Sequence, residues 1–288
     1  MRLFADDCLL YREIKSFQDH ITLQKDLENL EKWAETWGMR FNARKCFILS
    51  IKQRSHYFYQ LNKCILDHVP SNPYLGVQIS NDLKWGTHIS YTIQKANCAL
   101  GYIQRNLRFC PEDCRKLAYL SLVRSVLEYG ATVWDPYLQK DIDKLQRIQN
   151  RATRFVKQDY KSREKGSMTR MQQELGLPSL QDRRRQLRLV LMFKVVSGLV
   201  PGLPPDDFFT SERPKRRIRT RQFEDCISQN ALEKYAMNND RCYKIKHTNT
   251  DQLGNSFFHR TAVDWNHLPN EVVQAPSAEC FQQRLSKD

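Results

Sequence analysis

A chain of 288 residues is long enough for about two ordinary domains with cores of their own. Its net charge of +14 and pI near 9.4 point to a polyanionic partner, because phosphate backbones reward clustered Lys and Arg by releasing counterions; an acidic membrane surface is the rival. Nothing in the sequence supports membrane insertion, since the longest apolar run, "LRLVLMFKVVSGLV" (187–200), is short and carries Arg188 and Lys194, and Asp6 and Asp7 interrupt what would be the apolar segment of a signal peptide, so an intracellular protein, nuclear or cytoplasmic, is expected.

Residues 2–11 read as two short strands flanking "FADD", a hairpin with carboxylates at its tip. Ser16 and Asp19 form a capping box ahead of a helix whose Leu23, Leu27, Leu30, Trp33 and Trp37 recur at helical spacing, and Gly38 stops it. "MRFNARKCFILSI" predicts a strand, a turn over Asn42 to Lys45, and a second strand suited to a sheet interior. A polar excursion containing "YFY" (57–59) leads to "PYLGVQI", read as one more strand with Gly76 permitting close backbone approach.

Helices dominate afterwards. One is expected from Thr87 to Phe109, and a second from Pro111 to about Trp134, with Glu112 and Asp113 at its positive end and Pro136 as its breaker. A third, Leu138 to Val156, carries Leu138, Ile142, Leu145, Ala152 and Val156 on one face. Lys140, Lys144, Arg147, Arg151 and Arg154 lie on the other, spaced 4, 3, 4, 3. That stripe can follow a phosphate ladder or be a solvated helix face.

Residues 161–221 hold 15 Lys plus Arg against 6 Asp plus Glu, so +9 of the +14 falls there. The run includes "RRRQLR" (183–188) and "RPKRRIRTR" (213–221), for which nucleic-acid contact, a nuclear-import signal and plain solvation all stand open. The tail reads as a helix ending before Pro269 and another capped by Ser277, with Phe257, Phe258, Val263 and Trp265 packed. Nine cysteines at irregular intervals read as reduced thiols. Cys110 and Cys114 with His247 or His259 would suggest zinc, but a second ligand pair at metal spacing is missing.

Adjacent aspartates at a hairpin tip suit a hard divalent cation, although two-metal phosphoryl transfer needs carboxylates from more than one strand, and an Asp-Asp turn can also merely end a hairpin. The order "LFADD", "WGMRFNARKC", "YLGVQIS", then "HISYTIQKANCALGYIQRNLRF", "RSVLEYGATVWDPY" and the Trp-Asn and Leu-Pro signature of the tail resembles the C-terminal part of the reverse transcriptases (RNA-directed DNA polymerases) of non-LTR, LINE-type retrotransposons of the jockey, CR1 and L2 kind.

The resemblance implies an α+β fold: a partial palm (β-hairpin, helix, β-hairpin) over 1–86, a helical thumb over 87–160, a basic helical and loop region over 161–221 and a helical tail over 222–288. It makes Asp6 and Asp7 ligands of catalytic Mg²⁺, Lys45 a helper of pyrophosphate departure, and Tyr74, Leu75 and Gly76 the turn that supports the primer end. Lys140, Lys144, Arg147, Arg151 and Arg154 become a thumb surface on an RNA template and DNA primer, held through phosphates. The chain begins at the FADD motif, so the upstream metal-binding aspartate and the fingers are expected to be lacking and the fragment inactive alone. The alternative is a non-catalytic protein binding nucleic acid non-specifically through its thumb and 161–221.

Overall fold

The computed structural model describes residues 1–52, 57–212 and 238–286, so Cys226 and the 213–221 cluster lie outside the described residues. It divides into two compact units, Met1–His88 and Ile89–Asp288, the boundary falling within one helix.

Among the described residues the first unit holds four two-stranded ribbons and one α-helix. β1 (Arg2–Phe4) pairs antiparallel with β2 (Asp7–Leu9). Helix α1 (Phe17–Thr36) starts where the sequence places it. The Asp19 carboxylate accepts from the Lys15 and Ser16 amides at 3.0 and 2.8 Å and from the Ser16 hydroxyl at 2.9 Å, which holds its pKa below the usual carboxylate range. Gly38, at φ +67°, ends it.

Residues 39–41 are not a strand. Asn42 caps a single 3₁₀ turn, Ala43–Lys45, by accepting from the Arg44 amide, and only then does β3 (Phe47–Ile48) form, paired in parallel with β6 (Asp67–His68). β4 (Gln60–Leu61) and β5 (Cys64–Ile65) make a second hairpin around Asn62 and Lys63, both at positive φ. "PYLGVQI" is likewise a hairpin and not one strand. β7 (Ser71–Tyr74) turns at Leu75 and Gly76, φ +47° and +78°, into β8 (Val77–Ser80), a two-residue turn whose handedness matches the strand twist.

Two residues of the "YFY" stretch, Tyr57 and Tyr59, belong to the core of this unit. Tyr59 is buried and its hydroxyl lies 2.7 Å from His20 Nδ1 on α1, while Tyr57 stacks on the His20 ring at 4.8 Å. Gln24 of α1 accepts from the Gln60 amide (2.9 Å) and donates to its carbonyl (3.1 Å), standing in for a strand partner. Tyr59, Leu61 and Leu66 then pack with Leu23 and Leu27.

The second unit is helical. After α2 (Gly86–Asn106) come α3 (Glu112–Ala118), a π-helical turn (Tyr119–Arg124), α4 (Ser125–Glu128) and α5 (Ala131–Trp134); Gly130 in the left-handed region breaks what the sequence predicts as one helix to Trp134. α6 (Gln139–Lys157) buries Leu145, Ile148, Ala152, Phe155 and Val156. Its C-terminal carbonyl at Val156 accepts from Arg115 Nε (3.0 Å) and Nη2 (2.6 Å), supplying partners that a helix end lacks.

Short α7 (Ser167–Glu174) leads to α8 (Leu180–Val196) and α9 (Pro205–Phe208). The tail folds as α10 (Asp251–Gly254), α11 (Phe257–Asn266), α12 (Asn270–Val273) and α13 (Ala278–Leu285), Ser277 capping the last as expected. Trp265 and Phe281 are fully buried, and Phe281 stacks on Trp265 and on Phe193.

The arginines of "RRRQLR" correct the sequence reading of 183–188 as surface charge. Arg184 and Arg188 are buried, and their Nε atoms meet the two oxygens of buried Asp135 at 2.8 and 2.9 Å. Arg260 adds a third cation to Asp135 at 3.1 Å, and Arg188 reaches Asp264 at 2.8 Å. Arg183 grips Glu128 through two bonds of 2.9 and 3.0 Å. The cluster is an internal network tying α8 to the α5–α6 connection and to α11, and these cations are neutralised by acids distant in sequence.

Candidate metal-binding hairpin and nucleic-acid interface

Phe4 faces Asp7 across a two-residue loop of Ala5 and Asp6. Asp6 therefore occupies the turn and Asp7 the first position of β2, so the backbone bends between two exposed carboxylates. Ala5 sits at φ +50°, a left-handed conformation that glycine adopts freely and alanine adopts at a cost on the order of 1 kcal/mol. The loop is thus tighter than its residues prefer. Around it β1 is exposed along its whole length, Leu3 and Phe4 included.

Lys45 is exposed at the end of the 3₁₀ turn. The neighbouring Cys46 thiol is pushed above its ordinary pKa by burial and then by the thiol of Cys8. Cys8 is itself raised by burial. Tyr74 is the last residue of β7, half-buried, and Leu75 and Gly76 are the turn itself.

In the second unit, Lys140, Lys144, Arg147 and Arg151 are exposed on α6, while the opposite face is core. Their freedom is unequal. Lys144 pairs with Asp141 at 3.0 Å, and Arg151 donates to the Asn97 side chain of α2 at 2.6 Å. Arg154 turns back to donate to the carbonyls of Asp159 and Ser162 at 3.1–3.3 Å, closing the loop after α6. Lys157, absent from the expected row, bridges Glu112 and Glu174 at 3.2 and 2.9 Å.

Among the described residues no group of three or more His, Cys, Asp or Glu side chains stands together as a metal site. The zinc alternative finds no support there, and both nitrogens of His259 lie 3.0 Å from backbone carbonyl oxygens. The Asp6–Asp7 donor set is purely carboxylate and solvent-facing. That suits Mg²⁺, which keeps several waters and is held by one or two carboxylates plus substrate phosphates. No described helix is long and apolar enough to cross a membrane.

The chain is similar to three curated Drosophila melanogaster proteins. It is 25% identical over 160 residues to the RNA-directed DNA polymerase from mobile element jockey, and 25% and 26% identical over 161 residues to the probable RNA-directed DNA polymerases from transposon BS and transposon X-element. Each match takes 53% of this chain and 17–18% of the relative, so the chain spans about one sixth of the length of the relatives it matches. No family profile matches, and no solved structure does.

Proposed function

We propose, from the chain's relationship to these non-LTR retrotransposon RNA-directed DNA polymerases, that residues 1–160 carry the metal-binding hairpin and the nucleic-acid grip of such an enzyme. In this reading the Met1–His88 unit supplies part of a palm and α2 to α6 a thumb. Asp6 and Asp7 would hold Mg²⁺, which when bound neutralises phosphate charge during nucleotidyl transfer. Lys45 stands as proton donor or charge stabiliser for departing pyrophosphate, and the Tyr74-Leu75-Gly76 turn supports the primer end.

The single observation that carries this reading is the strained two-residue turn that sets two carboxylates at a hairpin tip. Because two-metal chemistry needs more carboxylate than one dyad, the chain alone is proposed to bind metal weakly and not to copy RNA. Mn²⁺ added to the protein should broaden the amide resonances of residues 4–8, and Asp6→Asn with Asp7→Asn should abolish the effect. Broadening that survives both substitutions overturns the metal site; primer extension with Mg²⁺ by this chain alone overturns the incompleteness.

The second reading is non-catalytic nucleic-acid binding, favoured by the one-sided row of Lys140, Lys144, Arg147 and Arg151 on α6. Its electrostatic footprint is smaller than composition implies, since Arg183, Arg184 and Arg188 are engaged internally. Affinity for nucleic acid should still fall linearly in log–log form with salt.

A further inference from the structure

The exposed face of α2 has a pattern that neither reading uses. Tyr91, Lys95, Cys98, Tyr102 and Arg105 are spaced 4, 3, 4, 3 and all are exposed, while Ile89, Ala96, Leu100 and Ile103 on the opposite face are buried. Such spacing puts the five in one narrow stripe. Tyr91 is 42% and Tyr102 58% exposed, and Phe109, in the turn that follows the helix, is 94% exposed. A phenylalanine almost wholly in water gains nothing for the fold from its ring.

Cations accompany these rings. Lys95 Nζ lies 4.6 Å from the Tyr91 centroid and the Arg108 guanidinium 5.7 Å from that of Phe109. Arg151, from the basic row of α6, reaches the flank of the same helix at Asn97. No Asp or Glu occurs from Leu83 to Pro111, so nothing in this stretch of sequence repels a phosphate. Aromatic faces with cations between them are what a single strand needs: bases stack on the rings, phosphates meet the cations, and sequence hardly matters. In a duplex the base faces are already stacked on one another.

We infer that the α2 stripe of Tyr91, Lys95, Tyr102 and Arg105, together with Phe109 in the turn that follows the helix, is a stacking platform for single-stranded nucleic acid. The inference rests on the nucleic-acid reading above and narrows it. Tyr91 and Tyr102 are 11 residues apart, about 17 Å along the helix axis, a span covered by a few nucleotides. The α6 row beside it contributes phosphate contacts shared by single strands and duplexes.

The test is fluorescence anisotropy with labelled single-stranded DNA, single-stranded RNA and a duplex of the same sequence, across a salt series. Tyr91→Ala, Tyr102→Ala and Phe109→Ala should each weaken single-strand binding about 5- to 150-fold, leave duplex binding within about twofold, and leave the salt slope unchanged. Tyr102→Phe should restore binding, because the ring and not the hydroxyl is used. Since all three side chains are exposed, unfolding midpoints should stay at the parent value.

The inference fails alone if the parent shows a steep salt dependence but the three variants bind single strands as it does, or lose single strand and duplex equally. A parent that binds neither nucleic acid, or binds without salt dependence, removes the wider reading as well. Self-association of the parent that the same substitutions abolish would assign the stripe to a second copy of the chain and overturn the platform. DNA and RNA arms then say which strand is preferred.

Discussion

In the Met1–His88 unit several of the largest apolar side chains face outward, Trp33, Trp37 (68% exposed), Phe17 and Phe58 among them, whereas in the Ile89–Asp288 unit Trp134 and Trp265 are completely buried. The cause lies in how each closes its hydrogen bonds. A helix satisfies its backbone internally and needs only one face covered, so α6 and α8 complete their cores with neighbours from the same unit. Among the described residues each strand of the first unit has one hydrogen-bonded neighbour, and a two-stranded ribbon is at best marginal in water. Its stability therefore leans on α1 and on the His20, Tyr57 and Tyr59 cluster. Its outward apolar groups favour association with another surface.

If that contrast is right, the largest single effect should come from the charge network of the second unit. Asp135 pairs with three buried or half-buried arginines, Arg184, Arg188 and Arg260, and Arg184 already keeps Nη1 and Nη2 without hydrogen-bond partners among the described residues. Asp135→Ala should remove about 3–5 kcal/mol from the Ile89–Asp288 unit, the cost of leaving buried charge uncompensated. Hydrogen exchange is the measurement: protection should collapse in α8 and α11 and stay unchanged in the ribbons of Met1–His88. Equal loss in both units would mean that they do not unfold separately.

The network also marks the limit of what the sequence discloses. Four arginines within six residues read as surface charge, because their acids lie some 50 and 80 positions away and no local pattern announces the pairing. Elements governed by neighbours were legible: the Ser16–Asp19 cap, the bend at Phe4–Asp7, the two-faced α6, and Ser277. Elements governed by distant partners were not. Tyr59 reads as loop until His20, 39 residues earlier, meets it, and the parallel pairing of β3 with β6 has no sequence signal. Read from its residues alone, "PYLGVQI" is one strand because Leu75 does not advertise positive φ, and only the resemblance makes residues 74–76 a turn. The stripe on α2 was present as spacing all along, but only exposure separates a stacking face from a packed one.

A second experiment sharpens the contrast through pH. Burial pushes His88 down to about 4, and its Nδ1 accepts from the Gln78 amide at 3.1 Å, so the folded unit holds the ring neutral. The unfolded chain protonates near 6.5. Between those values the unfolded state binds the proton and the folded state does not, so stability of the Met1–His88 unit is full above about pH 6.5 and declines as pH falls toward 4. A loss on the order of 3 kcal/mol follows from about 1.4 kcal/mol per pKa unit. Exchange of the Gln78 amide reads it directly. In His88→Gln the decline over this window should flatten, and an unchanged decline would assign it to other groups.

The smallest effect tests the aromatic cluster that the ribbons rely on. Tyr59→Phe keeps the ring, its packing against Tyr57 and its neighbours Leu61 and Leu66, and removes only the hydroxyl that meets His20 Nδ1 at 2.7 Å. A neutral hydrogen bond contributes about 1 kcal/mol net, so the expected loss is about 1 kcal/mol, read as reduced amide protection at Leu66, whose N–H donates to the Tyr59 carbonyl at 2.9 Å. Protection in α6 and α8 should not move. Should Tyr59→Phe instead leave Leu66 untouched, the ribbons would be held by packing alone, and the dependence of the first unit on this one polar contact would be wrong.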